Sequence, residues 1–295
     1  MKITRILFST AIMVALLFTS CQQQKAGQQK SVQSDEPDEF EQKLQNINPG
    51  LKDPSVIMVV LDMAGAEYID GLVVPMEDVD VYARDQAQAA LALGVYTVDI
   101  AYLASYGKTD QALIKYERAR KLAAAIGLVS SFEEEMFERY VTAGADPDTL
   151  RRELTMTAKN INEEMSQGDL ARHGTLFVTG EFIEKMYILT QVIEQYPDDF
   201  PEEVRSQLVR HLVMAIVEQE EALNDLIGLL DQIREEGEGE VLMAEMNTLK
   251  QVYDEANFPE MIANWTPQST AGGEYLARIT DQVDRLRTRI VSTDR

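Results

Sequence analysis

The chain has very few of the side chains that most often carry chemistry in proteins. It holds one cysteine, Cys21, and two histidines, His173 and His211, among 295 residues. One cysteine cannot form an internal disulfide or a multi-thiolate metal site. Neither histidine has the Glu-x-x-His spacing of carboxylate-bridged di-iron bundles or the His-Glu-x-x-His spacing of zinc proteases. We therefore expect no built-in metal site and no cofactor.

Recognisable catalytic motifs are also missing. The sequence contains no Gly-x-Ser-x-Gly turn, no Gly-rich phosphate loop and no dinucleotide-binding fingerprint. An all-helical protein can be an enzyme, but no catalytic constellation is evident in this sequence. We therefore predict that the protein is not an enzyme.

Basic residues are scarce relative to acidic ones. Lysine and arginine number 27 against 50 aspartates and glutamates, which gives a formal net charge of −23 at pH 7. Such a surface repels nucleic acid and anionic lipid headgroups, so we expect no nucleic-acid partner. Divalent cations or basic partners would be attracted, but acidity alone identifies neither.

The N-terminus has the parts of an export signal. Lys2 and Arg5 are followed by an apolar run at residues 6–18 and then by small residues before Cys21. The apolar run is too short to span a bilayer, and this favours a cleaved signal over a membrane anchor.

The end of this segment, "LLFTSC", resembles the lipobox of bacterial lipoproteins. The resemblance implies a signal peptide at residues 1–20 and a lipid on Cys21 that anchors the exported protein to the cell envelope. Gln22 favours the outer membrane of a Gram-negative bacterium. An ordinary signal peptide that happens to contain a cysteine is the alternative.

The rest of the chain divides into a tether and a domain. Residues 21–50 are rich in glutamine and poor in aromatic side chains, so they cannot bury enough apolar area to offset the entropy of ordering. We predict a flexible tether there and a single all-helical domain at residues 51–295, which is long enough to form a large core.

Helical spacing dominates that domain, and alternating strand-type runs are essentially absent. A clear stripe in the last helix consists of Leu276, Ile279, Val283, Leu286 and Ile290. Residues 202–234 predict one long helix of about 50 Å. The sequence therefore predicts an all-α fold, either a multi-helix bundle or a short array of helical hairpins, with eight or nine helices and no sheet.

Two resemblances concern the first half of the domain. The stretch "YLASYGKTDQALIKYERARKLAAAIG" resembles one hairpin of the tetratricopeptide-repeat type, without a second copy at the repeat spacing. The stretches "LALGVYTVDIAYLASY" and "TGEFIEKMYI" together resemble a group of all-helical exported bacterial lipoproteins without assigned function. The second resemblance implies a fold class and no activity.

Two helices, at residues 86–106 and 176–193, are apolar around their full circumference, as is typical of the centre of a bundle. Nearby Gly94 and Gly180 would let two backbones approach closely. The polar side chains that interrupt these helices are Tyr96, Asp99 and Tyr102 on the first and Glu181, Glu184 and Tyr187 on the second.

These six side chains have two interpretations. They line a pocket for a cationic or polyhydroxylated ligand, or they form a polar network that fixes how the central helices pack. A cavity that reaches solvent beside Asp99 and Glu184 would favour the pocket, and a closed network would favour the packing role.

The function predicted from these observations is a lipid-anchored, non-enzymatic binding or scaffold protein of the cell envelope. Its membrane contact would be the lipid on Cys21, and a protein partner or small ligand is not identified. The alternative is a small-molecule-binding lipoprotein with the carboxylate and tyrosine pocket between its two central helices. An enzyme that uses the same carboxylates is a third possibility.

Overall fold

The computed structural model describes residues 38–47, 51, 53–75, 79–128, 147–196, 201–234, 238–266 and 273–292. These residues form helices, one short 3-10 turn and connecting segments, and no β-strand occurs among them. The predicted all-α fold is confirmed for this part of the chain. All of these residues lie within one compact unit, Glu36–Arg295. The predicted signal peptide and Cys21 lie outside the described residues.

The helices follow one another with short connections. In chain order they are α1 (Glu39–Asn46), α2 (Val56–Met63), α3 (Val79–Tyr82), α4 (Gln86–Ser105), α5 (Thr109–Ala125), α6 (Pro147–Met165), α7 (Ala171–Glu194), α8 (Glu202–Val217), α9 (Glu220–Ile233), α10 (Glu238–Glu255), α11 (Phe258–Ala263) and α12 (Gly273–Val291). The 3-10 turn at Gly168–Leu170 joins α6 to α7.

Helices α4 and α7 form the centre of the fold, as their all-round apolar composition predicts. They cross in direct backbone contact, because each presents a glycine to the other. A methyl group on Gly94 would overlap the carbonyl oxygen of Phe177, and one on Gly180 would overlap that of Leu91. The two glycines therefore set the spacing between the helices, and no side chain lies between the backbones at the crossing.

The central pair is covered by α5 and α12. Helix α5 follows α4 after a turn in which Gly107 adopts a left-handed φ of 67°, and it packs back along α4. Helix α12 packs along α7 and also contacts α10. As a result, α5 and α12 each place one face against the central pair.

Helix α4 is long and apolar enough to pass as a membrane span, with a mean hydropathy of 1.4 in its most apolar window. Within the described residues 83% of that window is buried inside the protein. Burial in the core therefore accounts for its composition.

The predicted tether is wrong for residues 38–47. Helix α1 lies there, and it begins with a capping box in which Asp38 accepts from the Glu41 backbone N–H while Glu41 accepts from that of Asp38. Leu44 is 1% exposed and belongs to the core. Ile47 is 3% exposed and Phe40 packs against the same core, so the segment docks through apolar side chains that the glutamine-rich composition concealed.

The single long helix predicted at residues 202–234 is also wrong. Helix α8 ends at Val217, and α9 begins at Glu220 after a tight turn. The polar run "EQEE" at residues 218–221 supplies no apolar contact across the break. Helix α8 can therefore pack on α2 and α7 while α9 turns to pack on α10.

Candidate functional site

An irregular segment crosses the polar side chains of the central helices. We call residues 66–75, which lead from α2 toward α3, the strap. Its side chains at Leu72 and Val74 are buried, while Val73 is half-buried and Pro75 is exposed. The strap has no helix or sheet to satisfy its backbone, so its buried N–H and C=O groups need partners from elsewhere.

Asp99 and Lys115 hold one end of the strap. Both side chains are 0% exposed, and Lys115 Nζ lies 2.6 Å from Asp99 Oδ2. The backbone N–H of Val74 donates to Asp99 at 3.1 Å, and Lys115 donates to the Val74 carbonyl at 2.5 Å. The ammonium also lies 4.5 Å from the centroid of the Tyr96 ring. Asp99, which the sequence marked as out of place, is therefore ion-paired with a lysine of α5.

Glu184 and Arg287 hold the strap at Leu72. Arg287 makes a two-pronged contact with Glu184, with Nε to Oε2 at 2.8 Å and Nη2 to Oε1 at 3.0 Å. Its Nη2 also donates to the Leu72 carbonyl at 2.9 Å. The guanidinium stands 3.7 Å from the centroid of the Tyr187 ring. Glu184 is fully buried, and the Arg287 side chain is 13% exposed.

The two ion pairs interact through their acids, because the charge of Asp99 acts on Glu184. Burial raises the pKa of Glu184 to about 8, with Arg287 opposing the rise and the charge of Asp99 adding to it. We call Lys115, Asp99, Glu184 and Arg287 the four-charge network, because they form two buried ion pairs whose acids influence each other electrostatically.

Tyrosine hydroxyls complete the attachment of the strap. The Tyr102 hydroxyl accepts from the Ile69 N–H at 2.9 Å, and the Tyr96 hydroxyl donates to the Pro75 carbonyl at 3.3 Å. The ring of Tyr102 also stacks on that of Tyr68, with 5.6 Å between the ring centroids. The predicted residues Tyr96 and Tyr102 thus bind backbone and rings of the chain itself.

Glu181 interacts with a different cation from the other two acids. Its charge acts on Lys185, one turn further along α7, which donates to the Leu51 carbonyl at 2.5 Å. Burial lowers the pKa of Lys185, while Glu181 and Asp53 oppose that change. Glu181 is therefore buried beside its own cation, and the six predicted residues do not form one pocket.

The sequence-based prediction missed the two cations, Lys115 and Arg287. Lys115 lies three residues after Ala112 and four before Ala119, on the apolar face of α5. Arg287 lies four residues after Val283 on the apolar face of α12. A basic residue on a core-facing stripe was the available signal, because such a residue needs a buried acid.

The arrangement favours the packing interpretation over the ligand pocket. Asp99 and Glu184 have no exposed surface. Asp99 Oδ2 accepts from Lys115 and from the Val74 N–H, and both carboxylate oxygens of Glu184 accept from Arg287. Among the described residues no group of three or more histidine, cysteine, aspartate or glutamate side chains could hold a metal ion. The network therefore satisfies the strap and the central helices and leaves no open acid for a substrate.

A polar cavity lies away from the network, beside α6. Its volume is about 530 Å³, and its lining includes Asp53, Lys159, Asn162, Glu163 and Ser166. Asn162 and Ser166 are each 4% exposed and form its inner wall. The volume falls within the range of small-molecule sites, and the residues that line it are of polar or charged types.

Comparison with known proteins gives no family. The chain matches no family model, and no significant similarity was found among curated proteins or solved structures. The functional argument therefore rests on the residues and contacts described above.

Proposed function

We propose that the protein is a lipid-anchored, non-enzymatic binding or scaffold protein of the cell envelope, and that it binds a protein partner through α2. The supporting observation is an exposed apolar stripe on this helix. Val56, Val59 and Met63 share one side of α2 and are 44%, 60% and 64% exposed. Adjacent exposed large apolar side chains are a common mark of an interaction surface.

Charge indicates the kind of partner. Asp62 and Glu67 are exposed beside the stripe, and the whole chain carries a net charge of −23. A partner with an apolar centre surrounded by lysine and arginine would match both features. Helices α4 and α5, which resemble one tetratricopeptide hairpin, would form part of the rigid support behind this surface.

Site-specific photo-crosslinking in the native cell tests the docking surface. A photoreactive residue at Val59 should form a discrete adduct with one basic protein, and Val59→Asp with Met63→Asp should abolish its co-purification. Ile114 on α5 is the matched control, since it is also apolar and 52% exposed. The same adduct from position 114, or unchanged co-purification by the double variant, would contradict the proposal.

The anchor has its own test. We infer from the lipobox-like segment that Cys21 carries the lipid, with Gln22 directing the protein to the outer membrane. Inhibition of lipoprotein signal peptidase should block processing, and Cys21→Ser should release the protein from the membrane fraction. A Cys21→Ser protein that stays attached would refute the anchor without affecting the docking surface.

A small-molecule-binding lipoprotein is the second candidate, and the cavity beside α6 supports it. The closed network offers a ligand no opening between the central helices, so the cavity is the better site. A polyol or cationic probe that stabilises the wild type and Asp99→Asn equally, but not Asn162→Leu, would assign the ligand to the cavity. Loss of the effect in Asp99→Asn alone would assign it to the central helices, and no effect with any probe would contradict this candidate.

A further inference from the structure

We propose that the polar surface holding the strap is a binding groove for a peptide segment of another protein, and that the strap is its built-in occupant. We call this surface the groove. It consists of side chains from three helices, namely Tyr96, Asp99 and Tyr102 of α4, Lys115 of α5 and Arg287 of α12. The inference goes beyond the docking surface on α2 and the lipid on Cys21, and it depends on neither.

The groove binds the backbone of the strap. Val74 has both of its main-chain groups bound, with its N–H donating to Asp99 at 3.1 Å and its carbonyl accepting from Lys115 at 2.5 Å. The other contacts are of the same kind, from Arg287 to the Leu72 carbonyl at 2.9 Å, from Tyr96 to the Pro75 carbonyl at 3.3 Å and from the Ile69 N–H to Tyr102 at 2.9 Å. Every residue of a protein has a main-chain carbonyl, and every residue except proline has an N–H, so these side chains can bind any segment that follows the same path.

The buried side chains of the strap indicate which segments fit. Leu72 is 2% exposed and Val74 is 1% exposed, whereas Val73 between them is half-buried and Pro75 is exposed. Proline disfavours a helical conformation in the residue before it, so a helical ligand does not follow this path. Main-chain hydrogen bonds combined with alternate apolar pockets are a common mode of peptide recognition. The ligand is therefore a non-helical segment with leucine-sized and valine-sized side chains two positions apart, followed by proline.

The strap is attached less firmly than the helices around it. Within the described part of the chain, no backbone-to-backbone hydrogen bond involves residues 67–75. Gly65 and Gly71 have left-handed φ angles of 61° and 78°, which glycine adopts at little cost, so the backbone can change direction at both. The strap can therefore leave the groove without unfolding a helix, whereas α4 and α7 stay together at their glycine crossing.

Release of the strap leaves the groove formed. Asp99 keeps its ion pair with Lys115 at 2.6 Å, and Glu184 keeps its pair with Arg287 at 2.8 Å. Opening therefore exposes paired charges, which avoids the cost of an isolated buried ion. Both cations remain in place to donate to the carbonyl groups of a ligand.

A fluorescently labelled peptide with the sequence of residues 66–75, AEYIDGLVVP, is the probe. In the wild type the strap occupies the groove, so the apparent affinity for the peptide is reduced to the small fraction of open molecules. Leu72→Gly with Val74→Gly removes the two buried side chains of the strap and leaves every residue of the groove unchanged. Because this loss of apolar burial weakens the strap, the double variant should bind the peptide at least about tenfold more tightly than the wild type.

Two controls separate the groove from nonspecific apolar binding. A peptide with glycine at the positions of Leu72 and Val74 should not bind. Leu226→Ala removes a fully buried side chain of α9, which contributes no residue to the groove, and this variant should bind the peptide no better than the wild type. Equal affinity of the wild type and the double glycine variant, or equally tight binding by Leu226→Ala, would overturn the proposal.

Crosslinking locates the bound peptide. A photoreactive residue at the position of Val73 in the peptide should form adducts with α4, α5 or α12 of the double glycine variant. An adduct on α2 would assign the peptide to the docking surface, and this result would overturn the groove while leaving the proposed function intact.

Amide hydrogen exchange of the wild type covers the case in which the double glycine variant fails to fold. The Val74 N–H donates to Asp99, so it is protected only while the strap lies in the groove. After correction for intrinsic rates, it should exchange at least about tenfold faster than the slowest amides of α4 and α7. Equal protection of Val74 and the central helices would mean that the strap opens only when the whole protein unfolds, and would overturn the proposal.

Discussion

Replacement of Lys115 by methionine should be one of the most destabilising single changes in α5. The side chain and its partner Asp99 are both 0% exposed, so the variant leaves a buried carboxylate without its cation. Removal of one member of a buried ion pair costs about 3–5 kcal/mol of unfolding free energy. The Val74 carbonyl also loses its donor, which adds about 1–3 kcal/mol if no other donor replaces it. We therefore expect a loss of at least about 3 kcal/mol.

Lys121→Met is the matched control, because Lys121 lies on the same helix and also pairs with an aspartate, Asp80. The two side chains of this surface pair are 52% and 60% exposed, and solvent screens such a pair so strongly that it contributes little to stability. The difference in unfolding free energy between the two variants therefore measures the effect of burying the ion pair separately from the effect of removing a charge.

Equilibrium urea unfolding followed by circular dichroism measures both variants. With a denaturant slope of about 2–3 kcal/mol per molar urea, Lys115→Met should lower the midpoint by at least about 1 M and Lys121→Met by less than about 0.5 M. Adding Asp99→Asn to Lys115→Met should restore part of the loss, because the unpaired charge is removed. Equal midpoints for the two lysine variants would refute the reasoning that the Asp99 pair is buried and structural.

Two further predictions concern the central helices. Gly180→Ala should cost about 1–3 kcal/mol of unfolding free energy, because the added methyl group meets the Leu91 carbonyl. The methyl group of Gly228→Ala in α9 meets open space, so this variant should be neutral or stabilising by up to about 1 kcal/mol. A similar loss in both variants would contradict the close backbone contact between α4 and α7. Unfolding free energy should also depend on pH through Glu184, whose pKa is about 8 when folded and 4.5 ordinarily. Since the folded state holds the proton more tightly, this contribution is fully present below pH 4.5 and falls by up to about 1.4 kcal/mol per pH unit until about pH 8. Urea titrations should give a smaller slope for Glu184→Gln, and an unchanged slope would contradict the assignment.

The sequence predicts the centre of this fold well because composition alone reveals it. Helices that are apolar on every side have no solvent face, so α4 and α7 had to be central, and glycines near their acids had to mark a close approach. Asp99 and Glu184 stood out for the same reason. Helical geometry also predicted which side chains lie beside each acid on its own helix.

The partners of these acids were harder to predict, for physical reasons. Lys115 and Arg287 have long aliphatic stems that fit a core-facing stripe. A search for apolar periodicity counts them only as charged residues, so it does not predict that they are buried. The sequence of the strap has no hydrophobic repeat that would predict its structure, and its attachment depends on contacts with residues far away in the chain. Helix α1 was hidden by a glutamine-rich setting, although the "DEFE" cap at Asp38 was a readable signal.

The separation along the chain between the members of the four-charge network has a consequence for folding. Arg287 binds Glu184 across 103 residues and the Leu72 carbonyl across 215 residues. Contacts of such long range form late, because the loops between them must close first. Until α12 docks, Glu184 has no guanidinium and the strap lacks its contact at Leu72. A chain that leaves the ribosome from its N-terminus therefore cannot complete the four-charge network until its last described helix is available.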